Sequence, residues 1–304
     1  MMRTAYDLRQ GALQGRGPQA TSLGPHHLRN ERRTWIVAGI CALALAAQIT
    51  GGLLFHSMAL TASGLHMAAH VAAMLTAAGA YGLARRHSGN PRFAFGTAKF
   101  GDLAAFANAI VLAVTAILIG VESVERLLAP VVVDYASALP LEVAGLAVTL
   151  VCVWLLTPQG GGDLNLSAAH LHLSADALVG LLAILGLLAG QRLGWAWADP
   201  LAGLAGALLV AQFAASLIVR ATASLLDMNP SSELTADIRS RLEADGGRVV
   251  DLRLWRVGPG QYAAVATVVT DAPGAAEAYH ARLKALESLS HVTIEVRGSG
   301  RALA

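Results

Sequence analysis

The sequence predicts an α-helical polytopic membrane protein, a six-helix transmembrane bundle with a small C-terminal α+β cytoplasmic domain. Three observations predict it. Of the 304 residues, 55% are hydrophobic and only 14% are charged, with a mean hydropathy of +0.54, well above that of a soluble domain of this length. Six apolar runs approach or exceed the roughly 20 residues that a membrane-crossing helix needs. After Asp227-Met228-Asn229-Pro230 charge returns at Glu233, Asp237, Arg239, Arg241 and Glu243, marking a change to soluble composition. Aromatic residues make up only 5%, while Ala, Leu and 31 Gly dominate, a mix suited to close helix packing in lipid.

Residues 1–30 are polar, with scattered Gly and Arg, and lack the short apolar core and cleavage site of a signal peptide, so a disordered cytoplasmic tail is expected there. The apolar runs cover 34–55, 57–84, 102–121, 139–157, 164–190 and 200–219. Short links between neighbours make them antiparallel, and an even count leaves both ends on one side. Arg29, Arg32 and Arg33 precede the first run, Arg85, Arg86, Arg92 and Lys99 fill the second link, and Arg220 follows the sixth, whereas the opposite links hold only Arg126 and Arg192. Basic links stay in the cytoplasm, so both termini are expected there. Cys41 and Cys152 fall within apolar runs and read as small buried hydrophobes, not as a disulfide framework. The net charge of +2 argues for no acidic partner and no nucleic acid.

The expected domains are therefore 1–30, a transport domain over 31–228 and a cytoplasmic domain over 229–304. In the last, 232–243 reads as a helix, 249–257 and 262–270 as strands around Gly258-Pro259-Gly260, 275–289 as a helix and 292–296 as a strand. So small a sheet gains from a partner subunit.

Two of the membrane runs carry paired ionisable residues. The second contains His66-Met67-Ala68-Ala69-His70 and the fifth His172-Leu173-Ser174-Ala175-Asp176. A spacing of four stacks each pair on one helical face. Ionisable groups at membrane depth are costly unless they meet a partner, a water-filled cavity or an ion. If the two faces meet, His66, His70, His172 and Asp176 offer three imidazoles and one carboxylate. That donor set suits zinc, cobalt, nickel or iron, whereas magnesium and calcium prefer oxygen shells. The competing reading is a structural polar network. A zinc protease is excluded by Met67, which stands where its helical motif needs a glutamate.

Beyond spacing, the chain resembles a known family. Asn30-Glu31-Arg32-Arg33-Thr34, Ser57-Met58-Ala59-Leu60 leading to the histidines, Arg92-Phe93-Ala94-Phe95-Gly96, Lys99-Phe100-Gly101-Asp102, Asp199-Pro200-Leu201-Ala202-Gly203, Leu225-Leu226-Asp227-Met228 and the run from Asp251 to Gly260 are similar to the cation diffusion facilitators. The paired histidines of the second helix are most like the bacterial cobalt and nickel efflux branch. The resemblance implies divalent cation efflux across the cytoplasmic (inner) membrane by exchange with protons, a homodimer held by the cytoplasmic domain, and no prosthetic group. It also implies that His66, His70, His172 and Asp176 are the transport ligands. No enzyme reaction is implied, and no nucleophile pattern calls for one.

Four features depart from the family pattern. Ser63 stands where an aspartate usually precedes the first histidine, and Gln48 where this branch tends to have a glutamate. The link Pro158-Gln159-Gly160-Gly161-Gly162-Asp163 lacks the family's histidines, and Arg253 and Gln261 replace histidines of the soluble domain, leaving His291 and Glu295 as remnants. Cytoplasmic metal sites are therefore expected to be weak or absent. These changes motivate an alternative: a transport-impaired relative acting as a metal sensor or partner subunit. Among the other polar residues, His170 points away from His172, His26 and His27 are expected to be solvated in the tail, and His56 and His87 lie near span ends. Asp102, Asn108 and Asp199 read as helix caps or inter-helix hydrogen bonds.

Overall fold

The computed structural model describes residues 26–54, 58–129, 134–158, 162–271 and 276–298, with the side chains of 51–53, 58–66 and 69 outside the described set. Long apolar stretches without an interior break give long helices: α1 (His27–Leu54), α2 (Met58–Arg86), α3 (Lys99–Leu128), α4 (Tyr135–Leu156), α5 (Leu164–Leu193) and α6 (Ala198–Leu225). Among the described residues, α1 and α3 to α6 are long and apolar enough to cross a membrane. Much of the first half of α2 lies outside the described side chains. Helix α1 begins at His27, inside the stretch expected to be tail, so residues 27–30 belong to the bundle.

Polar residues set the helix ends. Asp134 caps α4 by accepting from Ala136 N at 3.1 Å and Ser137 Oγ at 2.7 Å. These bonds, led by that from Ser137, hold the Asp134 carboxyl below its ordinary pKa. Asp163 caps α5 by accepting from Leu166 N at 3.1 Å. At its far end α5 stops at Gly194, whose φ of 71° is left-handed and costs glycine nothing.

The described residues divide into two compact units, one of 26–82 and 100–222, the other of 83–99 and from 223 onward. In the first, Val37, Met74, Leu156 and Leu173 join α1, α2, α4 and α5 in one buried cluster. A second cluster, including Ala105, Leu112, Ala168, Val210 and Leu217, joins α3, α5 and α6. Helix α5 serves both and is thus the central helix of the bundle. Any polar side chain in its middle is drawn into the interior. Close contact with α6 depends on Gly186, where an added Cβ would meet Asp199 Cα at 2.8 Å. Ile117, Leu118, Trp154 and Leu208 face outward, a waste in water but the ordinary lining of a lipid-facing surface.

The other unit contains α7 (Ser232–Glu243), β1 (Arg248–Gly258), β2 (Gln261–Thr270), α8 (Ala276–Leu283) and β3 (Leu289–Gly298). The sheet runs β1-β2-β3, with β1 antiparallel and β3 parallel to β2. Antiparallel β1 and β2 need only a tight turn, and Gly260 supplies its φ of 67°. Parallel β3 requires a crossover, which α8 provides. Ile238, Leu242, Leu254, Val268 and Tyr279 form the core beneath it. The helix expected over 275–289 ends at Leu283, because turn bonds such as Leu286 N to Leu283 O (3.0 Å) lead the chain into β3. In the same unit, Phe95 packs edge-on to Trp255 with centroids 5.2 Å apart, and Lys99 Nζ donates to Asp227 Oδ1.

Candidate transport site

Helical spacing brings two of the expected residues on α5 to one on α2. His70 Nδ1 lies 3.2 Å from His172 Nε2, and His70 Nε2 lies 3.3 Å from Asp176 Oδ2. The two rings meet edge to face with centroids 5.2 Å apart. Both histidines are 3% exposed, whereas the Asp176 side chain is 22% exposed. Thr149 of α4 donates to Asp176 Oδ2 at 3.4 Å. The fourth expected residue, His66, lies on α2, but its side chain falls outside the described residues, as does that of Ser63.

Hydrogen-bond inventory orders this row. With Asp176 ionised and both rings neutral, the carboxylate only accepts, which assigns Nε2–H of His70 to Asp176, leaves its Nδ1 as the acceptor and assigns Nε2–H of His172 to it. His172, His70 and Asp176 form a proton-bearing chain in that order. The groups face one another and do not converge on a point, and among the described residues no three His, Cys, Asp or Glu side chains form a ready metal cage. An ion seated between them would replace these contacts, each neutral ring turning its unprotonated nitrogen to the metal, and only protons that make an imidazole cationic or the carboxylate neutral would be displaced.

A cavity of about 430 Å³ reaches the row, with Gln48, His70, Thr149 and Asp176 at its inner end and Glu122, Arg126, Glu142 and Asp199 nearer the end that carries the 129–134 and 194–197 links. Arg126 contacts Glu122 at 2.6 Å and Asp199 at 3.7 Å, so positive charge is offset by acid along the way. Polar groups in a low-dielectric wall concentrate the field on what passes. A second, smaller cavity of about 20 Å³ lies against His70, His172 and Asp176 between Leu112, Thr115 and Val210.

Other residues take structural roles. Asn108 donates from α3 to Ala73 O of α2 at 3.4 Å, the inter-helix bond expected of it. His27 departs from expectation: its ring packs edge-on to Tyr81 at 5.0 Å and approaches Glu31 at 4.0 Å, so it is not a solvated tail residue. The reason is the early start of α1. His56 lies outside the described residues, and His170 lines neither cavity. Cys41 and Cys152 are free and buried. In the soluble unit Arg253 pairs with Asp251 at 3.1 Å, and Arg297 holds Glu295 at 2.9 Å, pulling that carboxyl below its ordinary pKa. His291 stacks edge-on to Phe95 at 5.8 Å.

Sequence reasoning missed three participants. Glu142, an acidic residue inside the fourth apolar run, carried the signal of intramembrane charge and lines the cavity. Thr149 carried none, since a lone threonine in a helix commonly bonds its own backbone. Asp163 was seen only as part of a link. It accepts from Tyr81 Oη at 2.6 Å and from Asn30 Nδ2 at 2.9 Å, tying α1, α2 and α5 at one end of the bundle.

A family model described as the cation efflux transmembrane domain matches residues 34–226. The chain belongs to the cation efflux, or cation diffusion facilitator, family. It is thus a multi-pass membrane transporter, not an enzyme of the usual kind. Its relatives include the zinc transporter ZitB of Escherichia coli, 34% identical over 234 residues that cover 75% of this chain and 74% of that one. A protein of Bacillus subtilis called the cadmium, cobalt and zinc/H(+)-K(+) antiporter is 31% identical over 227 residues, covering 73% and 72%. The metal cation efflux system protein CzcD of Cupriavidus metallidurans is 28% identical over 244 residues, covering 80% and 77%. In this cation efflux protein, the row of His70, His172 and Asp176 lies inside the matched domain.

Proposed function

We propose that this protein exports a divalent transition metal ion across the cytoplasmic (inner) membrane in exchange for protons, with His66, His70, His172 and Asp176 as the ligands of the moving ion. The observation that carries the reading is the contact of His70 with both His172 and Asp176, at 3.2 and 3.3 Å, at the inner end of the cavity. Two nitrogens and a carboxylate are good donors for zinc, cobalt or nickel. The names of the relatives add cadmium, cobalt and zinc as cargo. Nickel and iron rest on the donor chemistry alone. No prosthetic group is called for, because the metal is substrate.

Exchange follows from the ligands. Histidine binds metal only when neutral and aspartate only when ionised, so ion and protons compete for the same atoms. The row from His172 through His70 to Asp176 gives the incoming protons places to sit. With the basic links and both termini in the cytoplasm, the cavity lies on the exterior side. A more acidic exterior then protonates the site and releases the ion there, and the bundle alternates access around it. The transport domain, which α1 extends back to His27, and a cytoplasmic domain (229–304) that pairs two subunits complete the architecture. The sensor alternative is not favoured, since the named relatives are transporters.

Proteoliposomes loaded with a pH indicator test the function. His172→Ala and Asp176→Ala are each expected to abolish metal-driven proton flux. Unchanged flux in both variants would overturn the assignment.

A further inference from the structure

Gln48 of α1 lies at the inner end of the large cavity, beside the residues that form the proposed site. Its Oε1 is buried and has no hydrogen-bond partner among the described residues. A buried amide oxygen without a donor is disfavoured, and more so inside an apolar helix bundle. The polar neighbours that line the same space are already engaged. Both His70 nitrogens face His172 and Asp176, and the Thr149 hydroxyl donates to Asp176. Gln48 shares that space with His70, Thr149 and Asp176, and a cation or a water that enters it gives the amide oxygen a partner.

We propose that Gln48 is a specificity-determining residue, a neutral oxygen donor to the ion held at His70, His172 and Asp176. The inference rests on that transport-site reading and adds a ligand to it. Being uncharged, the amide strengthens the hold on the ion without adding a negative charge that would retain it. Being oxygen, it is a hard donor among imidazoles. Zinc is satisfied by four tetrahedral ligands and gains little from another, whereas cobalt readily takes more. Gln48 thus broadens the accepted ions from zinc towards cobalt.

The test measures zinc and cobalt transport in proteoliposomes for the unmodified protein, Gln48→Leu, Gln48→Glu and Asp176→Asn. Gln48→Leu removes the oxygen at similar size, and Gln48→Met repeats the test if the leucine variant fails to accumulate. The ratio of kcat/KM for cobalt over zinc is expected to fall about tenfold, the size of one polar contact to a charge, chiefly through the KM for cobalt. Gln48→Glu keeps an oxygen but adds the charge, so the cobalt preference is expected to persist while kcat falls for both ions. Equal changes for both ions, or none, in Gln48→Leu would overturn the role of Gln48 while loss of flux in Asp176→Asn still upheld the site itself. Unaltered transport in Asp176→Asn would overturn both.

Discussion

Tyr81 Oη donates to Asp163 Oδ2 at 2.6 Å while the other oxygen of the same carboxylate caps α5 through Leu166 N at 3.1 Å. One side chain therefore ends a helix and binds two others to it, since Asn30 of α1 donates to it as well. Tyr81→Phe removes a charge-assisted bond and is expected to cost about 1.5–3 kcal/mol, lowering the unfolding temperature in detergent by several degrees. Asp163→Ala removes the cap too and should lower it further. If Asp163→Ala melts no earlier than Tyr81→Phe, the cap and the tether are not both stabilising.

The meeting of His70, His172 and Asp176 was legible in the sequence where local geometry decides it, and its surroundings were opaque where neighbours decide them. Spacing of four puts His172 and Asp176 on one face of α5, and their cost in lipid required a polar meeting place; His70 of α2 provides it. Which other helices line that place depends on how the bundle packs, so Thr149 of α4 and the cavity face of Gln48 could not be read from periodicity. The central position of α5 has the same origin, because all six runs look equally apolar. Element ends follow this division. Helix α7 falls where its pattern places it, with Ser231 accepting from Leu234 N at 3.1 Å as its cap, while α8 is shortened by the pairing of Leu289 with Tyr262.

Substituting the second-helix histidine tests how the site chooses its ion. His70→Asp exchanges an imidazole for a second carboxylate beside Asp176: zinc accepts carboxylate oxygen in a tetrahedral site, whereas nickel loses a preferred nitrogen donor. Transport across a panel of zinc, cobalt, nickel and cadmium is expected to shift towards zinc, by about tenfold in relative kcat/KM for a change worth 1.4 kcal/mol. An unchanged order of preference would remove α2 from the selectivity of the site.

The approach of α5 to α6 at Gly186 leaves no room for a side chain. Its Cβ would lie 2.8 Å from Asp199 Cα and 3.1 Å from Ala198 O, both backbone atoms that cannot rotate away. Gly186→Val is expected to destabilise the bundle by about 1–3 kcal/mol through overpacking. Because Asp199 also lines the cavity, transport should fall along with the melting temperature. A variant as stable as the unmodified protein would show that α6 can move off α5 freely at this point.

The row from His172 through His70 to Asp176 has a consequence for binding in the absence of any gradient. A neutral imidazole offers a metal ion its one unprotonated nitrogen, and protonation of either imidazole or the carboxylate removes a donor outright. Bound protons and bound metal are therefore alternatives, so metal affinity must fall as pH falls, and binding must release protons. Calorimetry of zinc binding to purified protein, repeated in buffers with different ionisation heats, reads that number directly. Release should be greatest at acidic pH, where more of the donors start protonated, and should shrink as pH rises. Asp176→Asn removes one titrating group and should lower both the number released and the affinity. Binding that released no protons at any pH, with affinity independent of pH, would show that the ion enters elsewhere and that this row serves only to hold α2 against α5.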